Sequence, residues 1–340
     1  MPIAAASVQV RAHQAVARFA QPDRPTAVWQ LVDTFVPYVS LWALWFLTAK
    51  LGLSYWITLA LAVVAAAFLV CIFIFFHDCG HGSSFASPRA KMILGYVCGI
   101  LTLTPYHEWR SSHARHHATA GNLDRRGTGD VWTMTVEEYR AAPRGKRLTY
   151  RLFRNPLVMV GLGPAFMFLI AQRFSHKRAK KRERASVMFT NLALLIVAVV
   201  ASLGTGFRTF LSIQLPVILI AGTLRLWLLY VQHQYEGVYW ARDEAWDPTR
   251  SALEGSSHYK LPKVLQWFSG NIGLHHIQHL RPRTPNYNLQ RYYDEIVAMQ
   301  AVRPLTLLKS PKSLRMNLWD EKGQRLVGFR ALAAIPSGLK

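Results

Sequence analysis

The sequence predicts an all-α membrane protein with four transmembrane helices in two hairpins and a helical cap on the cytoplasmic side. Three observations support this prediction: four long apolar segments, an uneven distribution of positive charge, and clusters of histidine that follow the apolar segments. The predicted spans are residues 31–49, 57–76, 187–203 and 209–231.

The second predicted span is the clearest of the four apolar segments. Residues 57–76 carry no charge and are long enough to cross a hydrocarbon core of about 30 Å. In the other spans, charged residues such as Asp33 and Arg225 lie near the ends. A shorter apolar run, 92–103, suits a re-entrant or interfacial helix better than a crossing. Residues 157–171 are interrupted by two glycines and a proline, and they remain unassigned.

The distribution of charge predicts the orientation in the membrane. A net charge of +22 would be compatible with nucleic-acid binding, but the turns within both hairpins carry almost no charge. Residues 89–184 and both terminal segments are rich in lysine and arginine, and positive charge favours the cytoplasmic side. We therefore predict a multi-pass protein of the inner membrane with both termini cytoplasmic and no nucleic-acid partner. The predicted regions are an arm, 1–30, a membrane domain, 31–291, and a basic tail, 292–340.

Three clusters, 77–81, 113–117 and 275–279, contain eight of the thirteen histidines. Because positions i, i+3 and i+4 share one face of a helix, each cluster can direct two or three ring nitrogens to one point. One such cluster is more often a helix end or a surface pattern. Three clusters on the same predicted side favour metal binding. Their eight imidazole side chains exceed the number of ligands that one four-coordinate ion requires. The clusters therefore predict a two-metal site at the membrane surface.

Four segments carry a resemblance to a known family: HDCGHGSSF (77–85), PYHEWRSSHARHHATAGNLDRRGTGD (105–130), YVQHQYEGVYW (230–240) and LPKVLQWFSGNIGLHHIQHLRPRTPNYNL (261–289). They resemble membrane-bound fatty acid desaturases, most nearly the bacterial acyl-lipid and Δ12-type enzymes. The resemblance covers about 31–291. It implies a four-span protein whose cytoplasmic cap holds two irons. It also implies O2-dependent removal of two hydrogens from an acyl chain, which forms a cis double bond.

The resemblance also implies the iron ligands. Removing hydrogen from an unactivated methylene requires a strong oxidant made from O2, and this in turn requires adjacent redox metals with open positions. The implied ligands are His77, His81, His113, His116, His117, His233, His275 and His279. Residues that are candidates for orienting these ligands are Asp78, His107, Asp124, Asp130 and Asn271. His107 also suits an interfacial position, and Asn271 also suits a helix cap.

The third cluster departs from the family pattern. Relatives usually have HxxHH there, which would require a histidine at the position of Gln278. Three outcomes are open. Gln278 binds iron weakly through its amide oxygen or through water; His276 replaces the missing ligand, since 276 and 279 have i, i+3 spacing; or one iron is poorly held and activity is low or absent.

The expected partners are a fatty acyl lipid, which enters an apolar tunnel, the surrounding membrane lipid, and a separate electron donor. The donor is expected to be separate because no haem domain with an HPGG signature occurs in the sequence. It is expected to be a ferredoxin or a cytochrome b5-type protein.

Two alternatives compete with desaturation. One is a related hydroxylase, alkane oxygenase or carotenoid ketolase with similar histidine clusters. The other is a non-catalytic relative, which Gln278 favours.

Overall fold

The computed structural model of the chain describes residues 17–335. Residues 1–16 of the predicted arm and 336–340 of the predicted tail lie outside the described residues. Most of the described chain is helical. The helices are α1 (Arg24–Lys50), α2 (Tyr55–His81), α3 (Pro88–Leu101), α4 (Tyr106–Thr119), α5 (Val136–Ala141), α6 (Arg144–Phe153), α7 (Lys181–Thr205), α8 (Phe207–His233), α9 (Pro248–Glu254), α10 (Lys263–Phe268), α11 (His275–Leu280), α12 (Asn286–Glu295) and α13 (Val297–Gln300).

Four helices, α1, α2, α7 and α8, are long and apolar enough to cross a membrane, which confirms the predicted fold class and the two hairpins. Each helix extends beyond its predicted apolar segment, because the capping residues lie outside that segment. Asp23 accepts a hydrogen bond from the backbone N–H of Thr26, and Pro25 occupies the first turn of α1. The second helix of this hairpin, α2, continues to His81 and ends at Gly82, whose φ of 75° favours glycine.

The α2 helix is the centre of the membrane part. Of its most apolar window, 56% is buried inside the protein, against 11% for α7, which therefore exposes most of its surface to lipid. Ala62, Ala65 and Ala66 are buried in the apolar cluster that α2 shares with α1 and α8, and such small residues let helix backbones approach. Trp45 of α1 is fully buried, and its indole N–H donates to the backbone oxygen of Thr58 at 3.2 Å.

The predicted run 92–103 forms α3, which packs back along α2 without crossing. Near its start, Lys91 donates to the backbone oxygen of Gly82, and near its end Gly99 lies against the ring of Phe76. After α3 the chain turns at Leu103, whose φ is 56°, and α4 returns towards the cap. A short helix that folds back in this way is compatible with the re-entrant or interfacial helix that the sequence predicts.

The segment Leu157–Arg173, which the sequence left unassigned, consists mainly of π-helical turns and bends by 62° from α6. If this bent pair is one span, residues 17–335 contain up to five elements that could cross a membrane. The buried ring of Phe168 packs against α8 at Gly222, where an added Cβ would lie 2.8 Å from the ring. The absence of a side chain at Gly222 therefore allows this close contact.

The cap contains short strands that the sequence did not predict. Strands β1 (Met134–Thr135), β2 (His258–Lys260), β3 (Pro304–Thr306), β4 (Leu318–Asp320) and β5 (Arg325–Val327) form two small sheets. In the larger sheet, β4 lies between β1, which is parallel to it, and β5, which is antiparallel. In the smaller sheet, β2 and β3 are parallel. Strands β3–β5 belong to the predicted tail, so its described part is built into the cap.

Candidate metal centre

Four histidines of α2 and α4 converge in one group: His77, His81, His113 and His117. The Nε2 atom of His113 lies 3.0 Å from Nε2 of His81 and 3.1 Å from Nε2 of His117. Each pair of histidines on one helix has i, i+4 spacing, which directs both rings to the same side. We call these four residues the first group.

A second group of four histidines comes from three helices: His116 of α4, His233 at the end of α8, and His275 and His279 of α11. The Nε2 of His233 lies 3.0 Å from Nε2 of His116 and 3.2 Å from Nε2 of His275. All four residues are buried. Nitrogen atoms around a tetrahedral ion with bonds of about 2.0–2.1 Å are roughly 3.3 Å apart, so this spacing suits one ion.

The two groups are adjacent. The rings of His117 and His279 stack with centroids 3.9 Å apart and planes inclined by 15°. His116 and His117 are consecutive on α4, yet they face different groups. Gly129 allows the backbone to approach here, because a Cβ at this position would lie 2.8 Å from Cβ of His116. Two metal ions would therefore be neighbours.

The hydrogen bonds of His116 and His233 indicate that a cation belongs between them. Nδ1 of His116 lies 2.6 Å from Oδ1 of Asp130, and Nδ1 of His233 lies 3.1 Å from the backbone oxygen of Gly255. Carboxylate and carbonyl oxygens accept hydrogen bonds, so each Nδ1 carries a proton, and in the neutral ring each Nε2 has a bare lone pair. Two bare lone pairs 3.0 Å apart repel each other, and either a shared proton or a metal ion between them removes the repulsion. The histidine groups therefore fit metal ions.

The electrostatics also suit metal binding. Burial lowers the pKa of His113, His117, His275 and His279 well below the usual value, and neighbouring imidazoles lower it further. These rings are therefore neutral near pH 7, and the neutral ring is the form that binds metals. Apart from Asp130, no carboxylate among the described residues makes a hydrogen bond to a ring of either group.

A cavity of about 950 Å³ reaches both groups. His77 and His113 of the first group and His275 of the second line its wall. Phe73 and Phe168 supply apolar surface along the cavity. Its volume and mainly apolar wall suit a long hydrocarbon chain that reaches both metal positions.

Comparisons with known proteins agree with this geometry. A family model described as fatty acid desaturase matches residues 54–307. A fatty acid desaturase of Bacillus subtilis is 49% identical over 324 residues, which cover 95% of this chain and 92% of that protein. The chain belongs to the fatty acid desaturase family. The predicted resemblance and enzyme class are confirmed, and the hydroxylase and non-catalytic alternatives are not favoured.

The desaturase is also similar to more distant members of the family. An sn-1 oleoyl-lipid 12-desaturase of Synechocystis sp. is 27% identical over 64% of this chain and 62% of that protein. An omega-3 fatty acid desaturase of the endoplasmic reticulum from Nicotiana tabacum is 25% identical over 69% of this chain and 62% of that protein. The histidine groups lie within the residues that the family model matches.

Two of the candidate orienting residues lie beside the histidines of the desaturase. Asp130 contacts His116, as described above, and Asp78 Oδ1 lies 3.7 Å from Nδ1 of His77. The other oxygen of Asp78 accepts hydrogen bonds from the backbone N–H of Asn286 at 2.7 Å and from its side-chain amide at 3.0 Å. Asn286 is not among the site residues predicted from the sequence. Its position directly after a proline, within the PNY motif of the fourth segment (261–289), was the available signal.

The other three candidates lie away from both groups. Asp124 pairs with Arg242 on the cap surface. The ring of His107 accepts a hydrogen bond from Arg182 at 3.1 Å and packs beside Tyr96. The side chain of Asn271 donates to the backbone oxygen of Asn286, and its φ of 57° places it in the turn before α11. In these positions, the three residues stabilise the surrounding cap.

Two matched variants, Asp130→Asn and Asp124→Asn, test whether Asp130 orients the ring of His116. Asp130→Asn keeps an oxygen beside His116 but removes the charge that fixes the tautomer, so we expect about 10- to 100-fold weaker iron binding at the second group. The measurement is the iron content of purified protein after a graded chelator challenge. Asp124→Asn, in the exposed ion pair, is the control and should match wild type. Equal iron retention by the two variants would exclude this role of Asp130.

The structure places Gln278 against the first group and His276 outside both groups. Gln278 is fully buried, and its side-chain amide nitrogen lies 3.2 Å from Nδ1 of His77. After a half-turn of the amide, its oxygen, which has no other hydrogen-bond partner among the described residues, would accept from Nδ1–H of His77. His276 packs beside the rings of His258 and Tyr293. In this arrangement the first group has four imidazoles without help from His276.

Gln278→His is expected to keep or raise the iron content and the activity of the desaturase. The imidazole would occupy a buried position beside His77, where the family usually has a histidine, and would add a nitrogen donor to the first group. Gln278→Ala is the comparison, because it removes the amide contact without adding a donor, and it should retain less iron than wild type. Iron per protein and product yield are measured together. A large loss in Gln278→His would contradict the expectation and show that the site is adapted to glutamine.

Proposed function

We propose that this desaturase forms a double bond in the acyl chain of a membrane lipid, using O2 and two irons held by the two histidine groups. The first group would bind one iron and the second group the other. The facing Nε2 atoms of His116 and His233, 3.0 Å apart within a buried group of four histidines, carry this proposal, because one metal ion between them would accept both lone pairs. When bound, the irons supply the redox chemistry that lets O2 oxidise an unactivated methylene.

The residues around the histidines position the substrate. The aromatic walls of the cavity, including Phe73 and Phe168, would hold the acyl chain and exclude water from the reacting methylenes. Arg115, Lys177 and Arg178 line the same cavity and supply positive charge for the phosphate of a lipid head group. Asp130 and the backbone oxygen of Gly255 hold the ligating rings of the second group in one tautomer.

The reaction requires a source of electrons and an orientation in the membrane. O2 takes four electrons to form two waters; the acyl chain supplies two, and a separate ferredoxin or cytochrome b5-type protein would supply the other two. The protein would lie in the inner (cytoplasmic) membrane, and its cap and both termini would face the cytoplasm. The lysines and arginines of residues 89–184 support this orientation.

Expression in a host with a simple lipid profile tests the proposal. Fatty acids of cells that express the wild-type chain are compared with those of cells that express His116→Ala, by gas chromatography and mass spectrometry. A new double bond at a fixed position, present only with the wild-type chain, is expected. Hydroxylated or alcohol products would show oxygen insertion instead. Unchanged lipids, together with purified protein that lacks iron, would overturn the proposal.

A further inference from the structure

Helix α6 has an apolar face that points away from the protein. Tyr150 is fully buried and anchors the opposite face through its hydroxyl, which donates to the backbone oxygen of Asn317. Leu148 and Leu152, one turn apart, are 60% and 54% exposed. Apolar surface at i, i+4 spacing on the outer side of a basic helix is typical of helices that lie in a membrane interface.

The end of α6 lies where a span leaves the membrane. Arg154, the residue after α6, is buried and donates to the side chains of Gln234 at 3.1 Å and Tyr230 at 3.3 Å. Tyr230 is in the last turn of α8, and Gln234 directly follows this helix. Leu157, which begins the next apolar segment, is 81% exposed. The apolar face of α6 is therefore continuous along the chain with a lipid-facing segment.

A cleft of about 530 Å³ lies between α6 and the end of the described chain. Its lining contains four arginines and no acidic residue: Arg140, Arg144, Arg147 and Arg151. Two of them have structural partners: Arg140 donates to the backbone oxygen of Leu332 at 2.7 Å, and Arg151 donates to the hydroxyl of Tyr139 at 2.6 Å. Among residues 17–335, neither Arg144 nor Arg147 forms an ion pair.

We propose that α6 lies in the head-group layer and that this arginine cleft binds the phosphate of an acidic phospholipid. Arg144 and Arg147, which form no ion pair among the described residues, can donate to the two free oxygens of a phosphodiester, and Arg140 and Arg151 add positive charge beside them. The exposed leucines beside the cleft would contact the acyl chains of the same lipid layer. Because Arg140 holds the end of the described chain at this cleft, the bound lipid would also fasten that end to the membrane. The cleft is separate from the histidine groups, so the proposal does not depend on the metal site.

Lipid binding to the full chain in detergent micelles tests the proposal. Bound phosphatidylglycerol is counted by native mass spectrometry, with phosphatidylcholine and inorganic phosphate as the alternative probes. The double variant Arg144→Gln/Arg147→Gln should bind one phosphatidylglycerol roughly 20- to 30-fold more weakly. Arg303→Gln/Lys322→Gln removes the same charge outside the cleft and should match wild type. Equal binding in the two double variants would overturn the proposal, as would equally effective competition by inorganic phosphate.

A second measurement places α6 relative to the membrane and does not require loss of charge. The native cysteines, Cys71, Cys79 and Cys98, are buried, so a nitroxide reagent should label an introduced cysteine selectively. In lipid vesicles, a label at Leu148→Cys should collide more with O2 and less with a water-soluble nickel chelate than a label at Lys322→Cys. The same ratio of collisions at the two positions would place α6 in water and overturn the proposal.

Discussion

His116→Ala is expected to remove iron from the second group and to abolish formation of the double bond. The substitution deletes the imidazole that lies 3.0 Å from His233 and leaves the carboxylate of Asp130 without its partner. Loss of an orienting residue usually costs 10- to 100-fold in metal affinity, so loss of a ligand should cost at least about 100-fold. The measurements are iron per protein and the amount of unsaturated product.

His107→Gln is the matched control for this experiment. His107 lies on the same helix as His116, but its ring bonds to Arg182 and belongs to neither group. The control should keep both irons and its activity. A fully active His116→Ala variant with two irons would remove His116 from the set of ligands. Similar iron loss in both variants would show instead that α4 tolerates no change.

The sequence predicted the spans because their apolar residues form long uninterrupted runs. It did not predict their ends, because α2 continues past residue 76 for more than one further turn, which carries His77 and His81. That turn belongs to the cap and is polar, so hydropathy gives no signal there. The helix end is set by Gly82, whose left-handed conformation terminates α2.

The sequence also predicted that the histidine clusters meet, but not how they divide. On α4, the spacing of His113, His116 and His117 allows all three rings to face one point. In the structure, His116 faces the second group, because α8 and α11 bring His233 and His275 to that side of α4. This division depends on contacts between residues more than 100 positions apart. The local spacing of residues in a single sequence does not reveal such contacts. The same is true of Gln278, which contacts His77.

Arg225 has a role that its position in an apolar segment did not suggest. It is only 7% exposed in α8, and its guanidinium lies 3.6 Å from the ring centroid of Phe73 and 4.2 Å from that of Phe168. It donates to the backbone oxygen of Thr102 at 3.0 Å and to the hydroxyl of Thr104 at 3.1 Å. Arg225 therefore binds the turn between α3 and α4, where the carbonyl end of a helix favours a cation.

Arg225→Leu is consequently expected to lower both the stability of the protein and its iron content. Hydrogen bonds from a charged group and a desolvated cation–π contact together contribute about 3–5 kcal/mol, most of which the leucine would lose. The turn is the base of α4, so its displacement would also move His113, His116 and His117. Thermal unfolding in detergent and chelator-resistant iron measure the two effects.

Arg208→Leu provides the control, because Arg208 lies on the same helix but is exposed near the uncharged end of the hairpin. It should unfold at the wild-type temperature and keep its iron. If Arg225→Leu behaved in the same way, the turn would not depend on the guanidinium. If it lost iron at an unchanged unfolding temperature, the position of α4 would depend on Arg225 while the stability of the fold would not. The expected result, a loss of both, follows because the turn between α3 and α4 also supports the helix that carries His113, His116 and His117.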